Sequence, residues 1–116
     1  MTIQRKHLTQ IDFSDVADGA ELMPAVTPGE ILREDFMEPL GLSANALAKA
    51  LHVPPNRITA ILNGTRSITA DTALRLARYF NTTPQSWLNL QKNYELEVAS
   101  RTVGQTIAAE VKPFAA

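Results

Sequence analysis

Apolar positions in this 116-residue chain fall into short helical repeats, each closed off by glycine, proline or a capping residue. The first definite repeat opens at "TPGE". Thr27 can cap, Pro28 suits a first helical position because its missing N–H would go unpaired anyway, and Glu30 completes a capping box. This predicts a helix from Pro28 to about Leu40, with Ile31, Leu32, Phe36 and Leu40 inward, stopping at Gly41. Ser43 is the next cap, and "ANALAKAL" places Ala46, Leu47, Ala50 and Leu51 on one face of a second helix barely two turns long. Pro54 and Pro55 each push the preceding residue out of the helical region, so the chain must turn there and restart at about Pro55. A third helix then reaches about Asn63 on a stripe of Ile58, Ile61 and Leu62, with Gly64 as a left-handed stop.

A fourth helix follows Thr69 and buries Ala73, Leu76, Ala77 and Phe80. Thr83 and Pro84 repeat the cap-plus-proline signal for a fifth, in which Trp87, Leu88, Leu90, Tyr94, Leu96, Val98 and Ala99 cover more than one face. One small domain does not need that much apolar surface on one helix, so a second copy is expected to cover the remainder. Trp87, Leu88, Leu90 and Tyr94 are the candidate dimerisation residues, although Trp87 taken alone reads first as core. Up to about Val26 the apolar residues keep no period and acidic residues gather in "DFSDVADGAE", which predicts an N-terminal arm over residues 1–26. Residues 101–116 are expected to be a tail or an extension of the last helix. Five helices and no strand pattern make this an all-α fold with one domain over residues 27–100.

Charge changes the picture more than composition does. The net charge is −1, but residues 1–42 carry three basic and eight acidic side chains, a net of −5. Residues 43–80 carry Lys49, Arg57, Arg66, Arg75 and Arg78 against Asp71 alone, a net of +4. The positive charge therefore surrounds the third helix, which is where a nucleic-acid surface would need it. With no cysteine there is no disulfide framework and no thiolate metal site, and the N-terminus lacks the apolar stretch of a signal peptide, so a cytoplasmic protein is expected. His7 and His52 lie far apart, and no HExxH, GxSxG or phosphate-binding loop occurs. Glu30, Glu34 and Glu38 recur every fourth residue but fit a solvated face better than a carboxylate site. Neither enzymatic activity, metal nor cofactor is expected.

Two short helices joined by a tight turn, preceded by one helix and followed by two more, are the elements of a helix-turn-helix domain. With Ile58, Ile61 and Leu62 inward, the opposite face of the third helix displays Asn56, Thr59, Ala60 and Asn63, with Pro55 and Arg57 at its leading end. These side chains are mostly short. A recognition helix must approach the major-groove floor closely, where Asn pairs bidentately with adenine, Arg with guanine, and Ala or a Thr methyl meets thymine methyl groups. The expected base-contact set is Pro55, Asn56, Arg57, Thr59 and Ala60, with Arg57 divided between base and phosphate. Arg75 and Arg78 read as ordinary helix-surface charges.

The stretch from Ser43 to Leu90, "SANALAKALHVPPNRITAILNGTRSITADTALRLARYFNTTPQSWLNL", resembles the phage-repressor-like helix-turn-helix family throughout. More narrowly, "PGEILREDFMEPLGLSANALAKAL", "NRITAILNGTRSITADTALRLARYF" and "SWLNLQ" resemble the HigA-type antitoxins, also described as VapI-like regulators. The resemblance covers about residues 27–100. It implies a cytosolic homodimer that binds a palindromic double-stranded DNA operator, represses its own operon and neutralises a HigB-type toxin, a ribosome-dependent mRNA endonuclease encoded beside it. By family position Pro55, Asn56 and Ala60 fall where phage-type repressors read bases, and Ser43, Ala44, Thr65 and Arg66 fall near phosphates. The expected phosphate set is Ser43, Ala44, Asn45, Asn63, Thr65 and Arg66. Two positions depart from the pattern. His52 stands where glycine often adopts a left-handed conformation, and Ala44 stands where related repressors often carry glutamine, so backbone N–H groups at the start of the second helix are left to serve there. The alternatives are a helix-turn-helix regulator without a toxin and a fold kept only for protein interaction.

Overall fold

The capping box at Thr27 forms as the sequence predicts. In the computed structural model, which describes residues 23–115, the Glu30 N–H donates to Thr27 Oγ1 at 3.1 Å and the Thr27 N–H to Glu30 Oε1 at 3.0 Å. Of the arm expected over residues 1–26, residues 1–22 lie outside the described residues, and 23–27 lead without helix into α1. Helix α1 is composite: an α-helical turn Pro28–Ile31, a π-helical segment Leu32–Met37, and a last turn Glu38–Leu40. Pro39 explains the widening, because its ring would strike the carbonyl four residues back in a regular α-helix, and a wider turn relieves that clash.

The π segment has a consequence for packing. One extra residue per turn rotates everything beyond it by roughly 100°. Leu40, expected to face inward, is therefore 62% exposed, and Met37 takes its place in the core. Gly41 then stops the helix in the left-handed region, at φ 67°.

Helix α2 (Ala44–Leu51) is capped by Ser43, whose Oγ accepts from the Ala46 N–H at 3.0 Å. Its buried stripe is Leu47, Ala48 and Leu51, with Ala44 packed at the edge. Ala46 and Ala50, expected on that stripe, are exposed. Alanine carries so little apolar area that the two neighbouring stripes were nearly equal in sequence, and the packing of α2 on its neighbours chose between them. His52 ends α2 at φ 61°, ψ 47°, the left-handed conformation expected of it.

The chain turns over His52–Pro54 and enters α3 (Pro55–Leu62), which buries Ile58 and Ile61 and half-buries Leu62. Gly64 follows at φ 81°. Helix α4 (Ala70–Phe80) ends at Asn81, also left-handed at φ 61°. Helix α5 (Pro84–Glu110) is capped by Thr83, and at 27 residues is about 40 Å long. Its first half, as far as Glu95, packs on the domain and the rest extends beyond it, with Arg101 Nη1 donating to the Met23 carbonyl at 2.6 Å; of the expected tail or helix extension, residues 101–110 are helix.

Three features join these helices. Phe36 of α1, Phe80 of α4 and Trp87 of α5 form an aromatic cluster, with ring centroids 4.8 Å apart for Phe36–Trp87 and 5.0 Å for Phe36–Phe80. Trp87 is 1% exposed and its Nε1–H donates to Thr82 Oγ1 at 2.8 Å, so its polar edge is satisfied within the chain. Gln91, buried on α5, accepts the Ile68 N–H at 2.8 Å on Oε1 and so pairs a backbone donor that the loop before α4 would otherwise bury unmet. The N-terminus of α1 also lies directly on the end of α3: a Cβ at Gly29 would stand 2.2 Å from the Ile61 carbonyl oxygen. Arg33 Nη2 donates to the Leu62 carbonyl at 3.3 Å across the same contact. The orientation of α3 is thus set by α1 behind it. Among the described residues no helix is long and apolar enough to cross a membrane.

Candidate nucleic-acid interface

Helix α3 owes its start to proline geometry. Pro54 sits at φ −64°, ψ 145° as the residue before the helix, and Pro55 occupies the first position, where no N–H is required. With Ile58 and Ile61 locked into the core, the helical period leaves Pro55, Asn56, Thr59 and Asn63 exposed and Ala60 half-exposed on the other side. Four of the five expected base-contact residues are thus brought together on one uncovered face. The Thr59 hydroxyl turns back to the carbonyls of Pro55 and Asn56, at 3.4 and 3.3 Å, which leaves a methyl as its outward chemistry. A surface of Pro ring, Asn amide, Thr methyl and Ala methyl suits close approach to base edges.

Arg57, the fifth, behaves differently. Its Nη1 is 2.8 Å from Asp71 Oδ2 in the first turn of α4, and its side chain is 23% exposed. The guanidinium is turned along the seam between α3 and α4. Arg75 shares the same carboxylate oxygen, through Nε at 2.9 Å, while its Nη1 donates to the Leu51 carbonyl at 2.9 Å. Arg75, expected to be an ordinary surface charge, therefore satisfies the C-terminal end of α2 and ties it to α4. The Arg75 hydrogen bond first of all, with Arg57 adding to it, holds the Asp71 carboxyl below the usual carboxylate range, against an opposing desolvation.

The expected phosphate set flanks α3 on both sides. Ser43 and Asn45 are exposed at the start of α2, whereas Ala44 is half-buried against the core, so any contact there falls to backbone N–H groups. After α3, Gly64 carries the chain into a turn in which the Thr65 N–H and Arg66 N–H both reach the Ala60 carbonyl, at 2.9 and 3.2 Å. Thr65 Oγ1 bonds the same carbonyl at 3.2 Å, and Thr65 and Arg66 stand exposed.

The expected dimerisation residues separate. Leu88, Leu90 and Tyr94 are half-buried. Trp87 is a correction: a side chain that is 1% exposed belongs to the chain's own core and has no surface to offer a partner. The large apolar side chains left open on α5 lie further along, at Leu96, Val98, Val103 and Ile107, which are 65%, 36%, 43% and 51% exposed. Sequence reading missed Asp71, Gln91 and Gly29 as organising residues. Only Asp71 left a signal, as the sole acid in the basic segment.

These features have counterparts in known proteins. The helix-turn-helix family profile matches residues 34–87. The chain is 60% identical over 83 residues to virulence-associated protein I of Dichelobacter nodosus, an overlap of 72% of this chain and 77% of that protein. Among solved structures it is similar to an addiction module antidote protein of the HigA family from Coxiella burnetii, at 55% identity and a TM-score of 0.75, covering 79% of this chain and 100% of that one. It is also similar to the Pseudomonas aeruginosa antitoxin HigA, solved with the higBA promoter, at 42% identity and a TM-score of 0.76, covering 78% of this chain and 99% of that one. By its five-helix framework, the uncovered face of α3 and these similarities, the chain belongs to the helix-turn-helix family of DNA-binding regulators, related to the HigA antitoxins and to virulence-associated protein I, and is not an enzyme.

Proposed function

We propose that this protein is a sequence-specific operator-binding antitoxin, which represses its own operon as a homodimer and neutralises a HigB-type mRNA endonuclease toxin. The observation that carries the DNA-reading half is the outward face of α3. Asn56, Thr59 and Ala60 stand uncovered on a helix whose other face is fixed in the core by Ile58 and Ile61. Short side chains let the helix backbone sit deep in a major groove. Exposed Ser43, Asn45, Thr65 and Arg66 on either side are placed to hold phosphates and so fix its register. The relation to a HigA solved with promoter DNA supports the same reading.

A palindromic operator requires two copies, and the projecting half of α5 supplies apolar side chains at Leu96, Val103 and Ile107 for that contact. Paired recognition helices would then lie about 34 Å apart and read half-sites one turn apart. The toxin-neutralising half rests on the relation to antitoxins of the HigA group.

Two measurements test the proposal. Selection from a random duplex library is expected to return a palindrome bound with a steep salt dependence; enrichment of no sequence would eliminate operator reading. Co-expression with the product of the adjacent gene is expected to restore growth that this product arrests alone. Failure of rescue would leave a regulator without a toxin.

A further inference from the structure

Asp71 is the only acidic residue between residues 43 and 80, and it stands beside the leading turn of α3. A surface built only for affinity to phosphate would not carry an exposed carboxylate there, since it cancels neighbouring positive charge. Stability gives a partial account of it: Asp71 also holds Arg75, which bonds the end of α2, but that role does not call for Arg57, and with the Asp71 side chain 56% exposed the Arg57 ion pair itself contributes little. The helix dipole accounts for an acid at the start of α4 but not for its bond to an arginine fourteen residues earlier in another helix. That arginine also gives something up. Arg57 Nε is buried without a hydrogen-bond partner among the described residues, so the side chain is drawn to Asp71 at the expense of its Nε–H donor.

We infer that Asp71 is a specificity-determining residue: it holds Arg57 in the seam between α3 and α4, away from the sugar-phosphate backbone, and so suppresses sequence-independent DNA binding. Base reading is left to Asn56, Thr59 and Ala60. The inference rests on the operator-binding reading above. On non-cognate DNA a protein is held by phosphates alone and can shift to place a released arginine on the nearest one. On the operator the base contacts fix the register, and Arg57 has no such freedom. Releasing it should therefore strengthen non-cognate binding more than cognate binding.

The size of the effect follows from counterion release. One added phosphate contact steepens the dependence of log affinity on log salt by about 0.9, which between 1 M salt and about 0.15 M is a gain of about fivefold per protomer.

The test compares the full chain with Asp71→Asn, and with Asp71→Ser as a second release variant, each confirmed folded by circular dichroism. Binding to the selected palindrome and to a scrambled duplex of the same composition is measured over a salt series. The expected result is about fivefold tighter binding to the scrambled duplex per protomer, a salt slope steeper by about 0.9, and a change of less than about twofold on the palindrome. In an Arg57→Ala background the Asp71 substitutions should produce no such gain. Unchanged scrambled binding, an equal gain on both duplexes, an equal gain in the Arg57→Ala background, or a loss on the palindrome would each overturn the inference. A wild-type chain that prefers no sequence would sink operator reading and this inference with it. Preference for the palindrome combined with any of the four adverse results sinks the inference alone.

Discussion

Replacing Gly29 with alanine adds a single methyl group, and the structure says where it goes. A Cβ there would lie 2.2 Å from the Ile61 carbonyl oxygen, 2.9 Å from Leu62 Cα and 3.1 Å from the Ile61 carbonyl carbon. All three are backbone atoms of the end of α3, so no side-chain rotation relieves the overlap. Restoring an ordinary carbon–oxygen contact of about 3.3 Å requires α1 and α3 to separate by about 1 Å. That separation stretches the Arg33 bond to the Leu62 carbonyl, already 3.3 Å, and opens the burial of Pro28. Overpacking of this kind costs about 3 kcal/mol at the upper end of its usual range, whereas alanine gains about 1 kcal/mol over glycine inside a helix. The net loss is about 2 kcal/mol. For a domain of this size that lowers the melting midpoint by about 10 °C. Gly104 provides the internal control, because a Cβ there meets nothing nearer than Ser100 Cβ at 4.0 Å on the projecting part of α5. The same substitution at Gly104 should stabilise α5 by about 0.5–1 kcal/mol. Thermal melts of the two variants followed by circular dichroism should move in opposite directions. A Gly29→Ala midpoint within about 2 °C of wild type would refute the argument that α1 rests on the backbone of α3.

Other substitutions probe the remaining joints. His52→Gly should relieve the left-handed strain at φ 61° and raise the midpoint by a few degrees, about 1 kcal/mol; an unchanged or lower midpoint would mean that a contact of the imidazole compensates. Gln91→Leu should cost about 1–3 kcal/mol in urea unfolding by leaving the Ile68 N–H buried and unpaired, and a neutral result would show that the loop finds another acceptor. The same residue governs a pH effect: the Gln91 hydrogen bond first, then Lys92, holds the Glu95 carboxyl below its ordinary value. A depressed folded-state pKa gives stability that is fully present above the unfolded value, near 4.5, and is lost as pH falls through the lower folded one. Urea midpoints should therefore drop on acidification below about pH 5, less steeply in Gln91→Leu than in wild type, and parallel curves would contradict the assignment. Asn56→Ala should weaken binding to the selected palindrome by about 1–3 kcal/mol while sparing the scrambled duplex; a uniform loss on both would reassign Asn56 to phosphate contact.

Much of this architecture was legible before any coordinates, and the reason is local. Thr27, Ser43 and Thr83 announce helix starts through their own side-chain oxygens, Pro28, Pro55 and Pro84 accept first helical positions, and Gly41 and Gly64 tolerate positive φ. Each signal depends only on residues within one turn of itself, so the five helices and their starts could be read directly, whereas the left-handed His52 was expected only from the resemblance to the helix-turn-helix family. The outward face of α3 was legible for the same reason, because three large apolar residues fixed its inward side.

Faces were harder than boundaries. Leu40 was misplaced because Pro39 widens the preceding turn, and Ala46 and Ala50 because alanine scarcely marks a stripe.

The sequence by itself determined where the five helices begin, where the first four end and which side of α3 is free, since those follow from caps, prolines and a 3.6-residue period; the end of α5 it left open. Only the tertiary structure decided what the partners of those helices would be. It buried Trp87 in the chain's own core, set Gly29 against the α3 backbone, and gave Ile68 its acceptor from Gln91, twenty-three residues away. It also turned Arg57 from the uncovered face of α3 toward Asp71. These are contacts between residues distant in sequence, set by packing that no local pattern encodes. The placement of the arginine in the seam between α3 and α4 was decided there.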